Sequence, residues 1–327
     1  GRAAMGAALG ELLVYPTYSL SKKEVDPNDV IWHSFPPGSP GGGVRRPFLW
    51  LPAPEDQDGS GGALIYFHAN AETLADVVFD MRIACKELGM SVLAVEYPGY
   101  GLASPDPART MTEGIDLAAI HALRYIVTVR KVPPPQVILQ GRSLGSGPAL
   151  RLALYAREDL LWTVGAVVLH AAYTSLAQLA QDTAGAAGQL LPNCYDNLAT
   201  LGEMCGSQPT SIAREGFWIP LLLIHGELDK MVPSRHSRAL LREARRHGHP
   251  SAHLHIQPTG SHNEYRMHED VVVPLAAFKR QYVSCPKKGL SWGSSLARYP
   301  MPKIVLEGVE DSKVARCCGA SQMRVMC

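Results

Sequence analysis

The sequence predicts an α/β fold, with a mostly parallel central sheet and helices on both of its faces. From residue 63 onwards, short apolar runs alternate with longer segments of helical periodicity, as expected when parallel strands are buried on both sides. Right-handed crossovers then carry the helices to the two faces. Of the 327 residues, 46% are hydrophobic and 19% are charged, which is enough apolar side chain for a large core.

Eight strands and five long helices are expected. Two apolar stretches, 30–32 and 47–51, flank a segment rich in proline and glycine and are predicted to be antiparallel edge strands. The six remaining strands are predicted at 63–68, 91–97, 136–140, 165–170, 221–225 and 253–256. The helices are predicted at 71–88, 112–130, 144–155, 234–247 and 271–282.

A single domain is predicted over residues 1–285, followed by a tail at 286–327 without periodicity. The alternation is interrupted at about 171–218, where we expect a small cap insertion. Seven scattered cysteines do not form a disulfide framework, and no signal peptide or long apolar run is present, so we expect a cytoplasmic protein. A net charge of +1 gives no reason to expect a nucleic-acid partner.

The strongest motif is Gly141-Arg142-Ser143-Leu144-Gly145, which matches G-x-S-x-G between a predicted strand and a predicted helix. In this context the motif is typical of the nucleophile elbow of the α/β-hydrolase fold. The serine lies on a strained turn, and glycines two positions before and after it remove Cβ atoms that would clash. Ser143 is therefore the predicted nucleophile.

A serine hydroxyl needs a base to accept its proton, and in this fold the partners follow in the order serine, carboxylate, histidine. Asp229 comes after the fifth strand of the parallel series and His262 after the sixth, so both lie in loops where a parallel sheet places its reactive site. We predict His262 as the general base and Asp229 as the carboxylate that orients it. Glu227 is the alternative carboxylate, but Asp229 is better placed to reach past the turn.

Acyl transfer also requires hydrogen-bond donors for the oxyanion. One donor is predicted to be the backbone N–H of Leu144. The other should come from the loop after the first parallel strand, where we favour the N–H of Asn70 and keep that of Ala71 as the alternative. No metal or organic cofactor is needed for this chemistry.

Eleven further histidines are present. Four of them, His247, His249, His253 and His255, are close in sequence and could suggest a metal site. We interpret them as a chance cluster, because two lie at a predicted helix exit and two on one face of a strand. His225 precedes the acid loop and is interpreted as structural.

Several of these segments resemble the α/β-hydrolase-domain-containing protein 17 family, the membrane-associated protein depalmitoylases. Residues 67–72 resemble its HGNA motif, and residues 96–104 are similar to its Y-x-G-Y-G-x-S segment. The serine, acid and histidine motifs follow in matching order over about 63–283, and the domain-containing protein 13 group is nearly as similar. The resemblance implies palmitoyl-protein thioesters as substrates and peripheral contact with membranes.

Two departures from that family pattern are visible. Ala69 occupies the position of the glycine in HGN, and the palmitoylated N-terminal cysteine cluster is missing, with Cys317, Cys318 and Cys327 in the tail as substitutes or ordinary thiols. We expect the substrate to be an acylated protein or a lipid-like ester. Lipid or carboxyl esters and peptides are the alternatives, and a non-catalytic binding protein with the same fold is the second class of function.

Overall fold

The computed structural model describes residues 24–39, 42–54, 62–106, 108–184, 194–206 and 218–283. The predicted tail at 286–327 and its three cysteines lie outside these residues, as does much of the expected cap. Within the described part, no helix is both long enough and apolar enough to cross a bilayer. The expected mostly parallel sheet with helices on both faces is present.

The centre of the molecule is an eight-stranded sheet with the order β1-β2-β4-β3-β5-β6-β7-β8. β1 and β2 are antiparallel, and the other six strands run parallel. The strands are β1 Val30–His33, β2 Arg46–Leu51, β3 Ala63–Phe67, β4 Ser91–Val95, β5 Val137–Arg142, β6 Ala166–His170, β7 Leu221–Gly226 and β8 Ala252–Gln257.

Alternate residues of each strand face two hydrophobic cores. On one side the sheet packs against α2, α3, α5 and α6, and on the other against α1 and α7. In β3, for example, Ile65 joins the first core, whereas Leu64 and Tyr66 join the second. The helices are α1 Leu74–Leu88, α2 Met111–Arg124, α3 Ser146–Glu158, α4 Leu176–Ala184, α5 Asn197–Gly206, α6 Arg235–Arg246 and α7 Val273–Tyr282.

Several helix boundaries differ from the predicted ones. α1 starts three residues late, because the Asp76 carboxylate accepts the N–H of Thr73 and leaves residues 68–73 as a loop. α3 starts at Ser146, after a 3₁₀ turn over Ser143–Gly145. π-helical turns follow α2 at Tyr125–Val129 and precede α7 at Met267–Val272.

Two helices were not predicted, α4 and α5, and both lie in the expected cap segment. Within this segment, Ser175 and Asp196 form an isolated antiparallel bridge. Asn197 lies next to this bridge, and its side-chain amide donates to Ser146 Oγ over 2.9 Å and to Tyr173 O over 3.0 Å. Ser146 Oγ in turn donates to Ser143 O over 2.7 Å. Asn197 therefore connects this segment to the elbow through the hydroxyl of Ser146.

Candidate active site

The loops that follow β3, β5, β7 and β8 converge at one edge of the sheet. Because these strands are parallel, their carboxyl ends lie together. Phe67 pairs with Gly141, and Gly226 with Gln257. The loops carrying Asn70, Ser143, Asp229 and His262 therefore lie at the same edge, as the sequence predicts.

Ser143 lies at the sharp turn between β5 and α3. Its φ is +50°, in the left-handed region that an L-residue enters only with strain. A Cβ at Gly141 would overlap Gly145 O, and one at Gly145 would overlap Phe67 O and lie 2.9 Å from His68 O. The two glycines thus let three backbone segments meet beneath the serine, which is the geometry predicted from the motif.

Ser143, His262 and Asp229 are joined in one line of hydrogen bonds. His262 Nε2 lies 3.1 Å from Ser143 Oγ, and His262 Nδ1 lies 2.7 Å from Asp229 Oδ2. With the Nδ1 proton donated to the carboxylate, Nε2 keeps its lone pair free to accept the hydroxyl proton of the serine. His262 is 7% exposed and Asp229 5%, whereas Ser143 is partly exposed and reachable by a substrate.

The carboxylate of Asp229 is held in its ionised form. Its burial would favour the neutral acid, but hydrogen bonds from His225 and His262 and the N–H of Val232 outweigh burial and hold the pKa of Asp229 below its ordinary value. Asp229 Oδ1 accepts the N–H groups of Met231 and Val232 over 2.9 and 2.8 Å. Oδ2 is therefore left to face the histidines.

His225, interpreted from sequence as structural, supports this carboxylate. Its Nε2 donates to Val232 O over 2.7 Å, which leaves Nδ1 to accept the hydroxyl of Ser237 over 2.6 Å. Nε2 is also 3.5 Å from Asp229 Oδ2. Its position at the end of β7, four residues before the acid, is the only sequence signal for this role.

The alternative acid, Glu227, lies on the surface and points elsewhere. Its Oε2 accepts the hydroxyl of Ser234 over 3.1 Å and the guanidinium of Arg238 over 3.0 Å. The structure brings Asp229, and not Glu227, to the histidine.

The two candidate oxyanion donors predicted in the loop after β3, the N–H groups of Asn70 and Ala71, have different surroundings. The hydroxyl of Tyr100 donates to Asn70 Oδ1 over 2.8 Å and accepts the backbone N–H of Ala71. The Ala71 N–H thus has a partner within the loop, and the Asn70 N–H stays the predicted second donor alongside that of Leu144. Tyr100 was not among the predicted site residues, although it lies in the segment at 96–104 that carries the family resemblance.

The alanine at position 69 fits the loop without backbone strain. Ala69 is buried and has a negative φ, in contrast to its neighbour Ala71, whose φ is +59°. Its N–H donates to Glu72 Oε2 over 2.8 Å. Beneath the loop, the buried ring of His68 stacks on Tyr97 with centroids 3.9 Å apart, and Tyr97 donates its hydroxyl to His68 O.

Three of the four histidines that cluster at 247–255 form contacts with different partners. His249 Nε2 donates to Ile219 O over 3.0 Å, and His253 Nε2 lies 2.6 Å from the Tyr282 hydroxyl. His247 pairs with Glu243 over 3.1 Å. Each of these three side chains therefore has its own protein partner.

Solved structures share this architecture. An esterase from Pyrococcus furiosus superposes with a TM-score of 0.56 at 14% identity, covering 80% of this chain and 97% of its own. An α/β hydrolase from Vibrio vulnificus superposes with a TM-score of 0.57 at 14% identity, covering 85% and 92%. The fold is the α/β-hydrolase fold.

Curated proteins extend this α/β-hydrolase likeness to the sequence, although no protein-family model matches the chain. Alpha/beta hydrolase domain-containing protein 17C of Xenopus laevis is 27% identical over 80% of this chain and 72% of its own. Protein 17B of Homo sapiens is also 27% identical, over 67% and 66%. Protein bem46 of Schizosaccharomyces pombe is 23% identical over 52% of each.

The resemblance to the protein 17 family drawn from the motifs is thus confirmed as a similarity. The alignments span from about half to about three quarters of these relatives' lengths. Together with the fold, they support hydrolase activity for this chain.

Proposed function

We propose that this protein is a serine hydrolase that cleaves acyl esters or thioesters through an acyl-serine intermediate. The observation that carries the proposal is the unbroken line of hydrogen bonds from Asp229 through His262 to Ser143, which ends on a strained elbow. Geometry of this kind is how a triad is recognised, whatever the sequence positions of its members.

In the first half-reaction Ser143 Oγ attacks the acyl carbon as His262 Nε2 takes the hydroxyl proton. The imidazolium that forms is stabilised by the ionised carboxylate of Asp229. The carbonyl oxygen becomes an oxyanion, which the N–H groups of Leu144 and Asn70 and the amino end of α3 stabilise. When the tetrahedral species collapses, His262 returns the proton to the leaving alcohol or thiol, and the acyl group stays on Ser143.

In the second half-reaction water replaces the leaving group. His262 accepts a proton from water as the oxygen attacks the acyl carbon, and it then gives that proton back to Ser143 Oγ when the carboxylic acid departs. Two protein groups thus change protonation state in each cycle, and no external oxidant, reductant or metal takes part. Burial of the histidine keeps competing water away from Nδ1.

We propose protein S-acyl thioesters as the substrate, with a palmitoyl-protein thioesterase as the enzyme type. Support comes from the resemblance of the motifs to the domain-containing protein 17 family and from the 27% identity to two proteins of that name. The same reasoning proposes a cytoplasmic protein in peripheral contact with membranes. Lipid or carboxyl esters are the alternative, since a structural neighbour with a TM-score of 0.56 is named an esterase.

The mechanism is tested with a fluorophosphonate probe, which reacts with an activated serine. Labelling is expected at Ser143, located by peptide mass spectrometry, and is expected to disappear in Ser143→Ala. Ser39→Ala removes a partly exposed serine hydroxyl that donates to Pro36 O, far from Ser143 along the chain, and is expected to label normally. Labelling elsewhere, or a folded wild-type protein that reacts with no such probe, would overturn the proposal in favour of a non-catalytic binding protein.

The substrate class is tested by comparing kcat/KM for three compounds. These are a peptide carrying a palmitoyl thioester on cysteine, a short p-nitrophenyl ester and an aminoacyl anilide. The palmitoyl thioester is expected to give the highest value. If the short ester or the anilide exceeds it, the enzyme is a general esterase or a peptidase.

A further inference from the structure

Arg142, the residue between the first glycine and the serine of the elbow motif, has a buried guanidinium. Its side chain is 3% exposed, although nothing in the G-x-S-x-G turn itself requires a charge at this position. Removing a guanidinium from water is costly unless its protons find partners. The partners it has therefore indicate what the charge does.

One end of the guanidinium holds the histidine loop. Arg142 Nη2 donates to His262 O over 2.7 Å and to Asn263 Oδ1 over 2.8 Å. The first acceptor is the backbone carbonyl of the residue whose imidazole faces Ser143. The ring centroid of Tyr265, three residues after His262 in the same loop, lies 5.2 Å from the guanidinium carbon. Arg142 thus fixes the backbone from which the imidazole extends.

The other end holds the loop that carries the oxyanion donor. Arg142 Nη1 forms an ion pair with Glu72 Oε1, and Glu72 Oε2 accepts the N–H of Ala69 over 2.8 Å. Ala69 is directly followed by Asn70, whose N–H is the proposed donor. The carboxylate of Glu72 therefore links Arg142 to the oxyanion loop.

We propose that Arg142 is a positioning residue that sets the distance between the histidine loop and the oxyanion loop, with Glu72 as its intermediary. The inference rests on the proposed serine-hydrolase function. The oxyanion loop follows β3, which lies directly on one side of β5. The histidine loop follows β8, which lies on the other side of β5, beyond β6 and β7. The guanidinium bridges the two loops from the elbow itself.

This role has a kinetic consequence. Neither Arg142 nor Glu72 contacts the reacting atoms, so loosening them should shift the base and the oxyanion donor relative to Ser143. A misplacement of about 1 Å far from the chemistry can cost about 100-fold in rate. The loss should fall on kcat, because a short acyl ester bound at Ser143 gains no ground-state contact from either side chain.

The test uses the full chain and a short p-nitrophenyl ester. Arg142→Gln and Glu72→Gln are each expected to lower kcat about 10- to 100-fold, with KM changed less than about two-fold. The double variant is expected to lose no more than the worse single one, because the two residues act as a unit. Arg142→Lys should recover only part of kcat, since an ammonium cannot reproduce the forked contacts.

The matched control is Asp116→Asn. It breaks another largely buried ion pair, in which Arg151 Nη2 lies 2.9 Å from Asp116 Oδ2, but this pair joins α2 to α3 and touches neither loop. We expect Asp116→Asn to lower the urea midpoint of unfolding while kcat stays at the wild-type value. If kcat of all variants falls only in step with their stability, Arg142 is merely structural and the proposal is wrong.

The outcomes also separate this proposal from the function on which it rests. If wild-type protein turns over ester and is labelled at Ser143, but Glu72→Gln and Arg142→Gln keep the wild-type kcat or raise only KM, positioning by Arg142 is refuted. If wild-type protein itself is inert, the serine-hydrolase function fails first. If Arg142→Gln does not fold, kcat and KM of Glu72→Gln and Asn263→Ala are measured instead, because each variant removes one partner of the guanidinium.

Discussion

The imidazole of His262 is bonded at both nitrogens, and the partner of each decides where its proton lies. Asp229 Oδ2 accepts the Nδ1 proton, and this leaves Nε2 as the acceptor that faces Ser143. Asp229 Oδ1 is engaged by two backbone N–H groups. An asparagine side chain in place of Asp229 would therefore be held in one orientation, with its oxygen towards these two N–H groups.

Asp229→Asn is expected to lower kcat by about 10⁴-fold with little change in fold. The amide oxygen will take the place of Oδ1, so that the NH₂ group faces His262 and drives the imidazole proton onto Nε2. The measurement is kcat on a short ester. Glu227→Gln, which alters a surface carboxylate two residues away, should retain activity; a large loss there and none at Asp229 would reassign the acid.

The three side chains of the triad could be predicted because each follows a strand, and parallel strands end at one edge. Arg142 could not be given a role in the same way. Its partners Glu72 and Asn263 lie 70 and 121 residues away along the chain. Nothing local in the sequence indicates that their loops approach the elbow from both sides.

At the scale of elements, the elbow brings β3, β5 and α3 into backbone contact. At Gly145 the missing Cβ makes room for the carbonyl of Phe67 in the neighbouring strand. That carbonyl belongs to the backbone of a central strand, so it cannot move aside as a side chain would.

Gly145→Ala is therefore expected to destabilise the fold by at least about 1–3 kcal/mol, the usual cost of overpacking, and to reduce kcat through displacement of Ser143. Urea denaturation and ester hydrolysis measure the two effects. Gly206→Ala is the control, because its nearest neighbour would be a side-chain atom of His247 at 3.4 Å. Equal effects at the two glycines would contradict the steric argument.

The strands of the parallel sheet could be predicted closely, because fully buried strands give continuous apolar runs. The helices α4 and α5 were not predicted, because their segment is low in charge. Each nevertheless has a capping residue: Ser175 Oγ accepts the N–H of Gln178 over 3.0 Å, and Asp196 Oδ1 accepts that of Ala199 over 2.9 Å. The start of α1 was predicted too early for a related reason. Residues 71–73 have helix-compatible side chains, but the capping contact between Thr73 and Asp76 ends the loop only at Leu74.

For the whole molecule, buried histidines set the acid limit of stability. His170, His236 and His249 are each less than 9% exposed, and burial lowers the pKa of all three below the ordinary value of 6.5. The unfolded chain then binds more protons than the folded one below about pH 6.5, so stability falls as pH falls. Each such proton contributes up to about 1.4 kcal/mol per pH unit.

The free energy of unfolding in urea is thus expected to decrease between pH 7 and pH 5. Asp229 affects stability at lower pH than the histidines do. Because its pKa is lower in the folded protein, its ionised carboxylate stabilises the fold above about pH 4, and this contribution is lost as the pH falls below that value. His249→Gln should make the slope between pH 6.5 and 5 shallower by up to one proton. A free energy that is flat or rises over this interval would refute the assignment.

The bridge between Ser175 and Asp196 has an evolutionary consequence. It holds the start of α4 beside the start of α5, so the segment that joins these two points has both of its ends fixed close together. Loop-closure entropy grows only slowly with length, so longer or shorter versions cost little. Changes in the length of this segment can therefore accumulate without moving Ser143, Asp229 and His262, which lie on other loops.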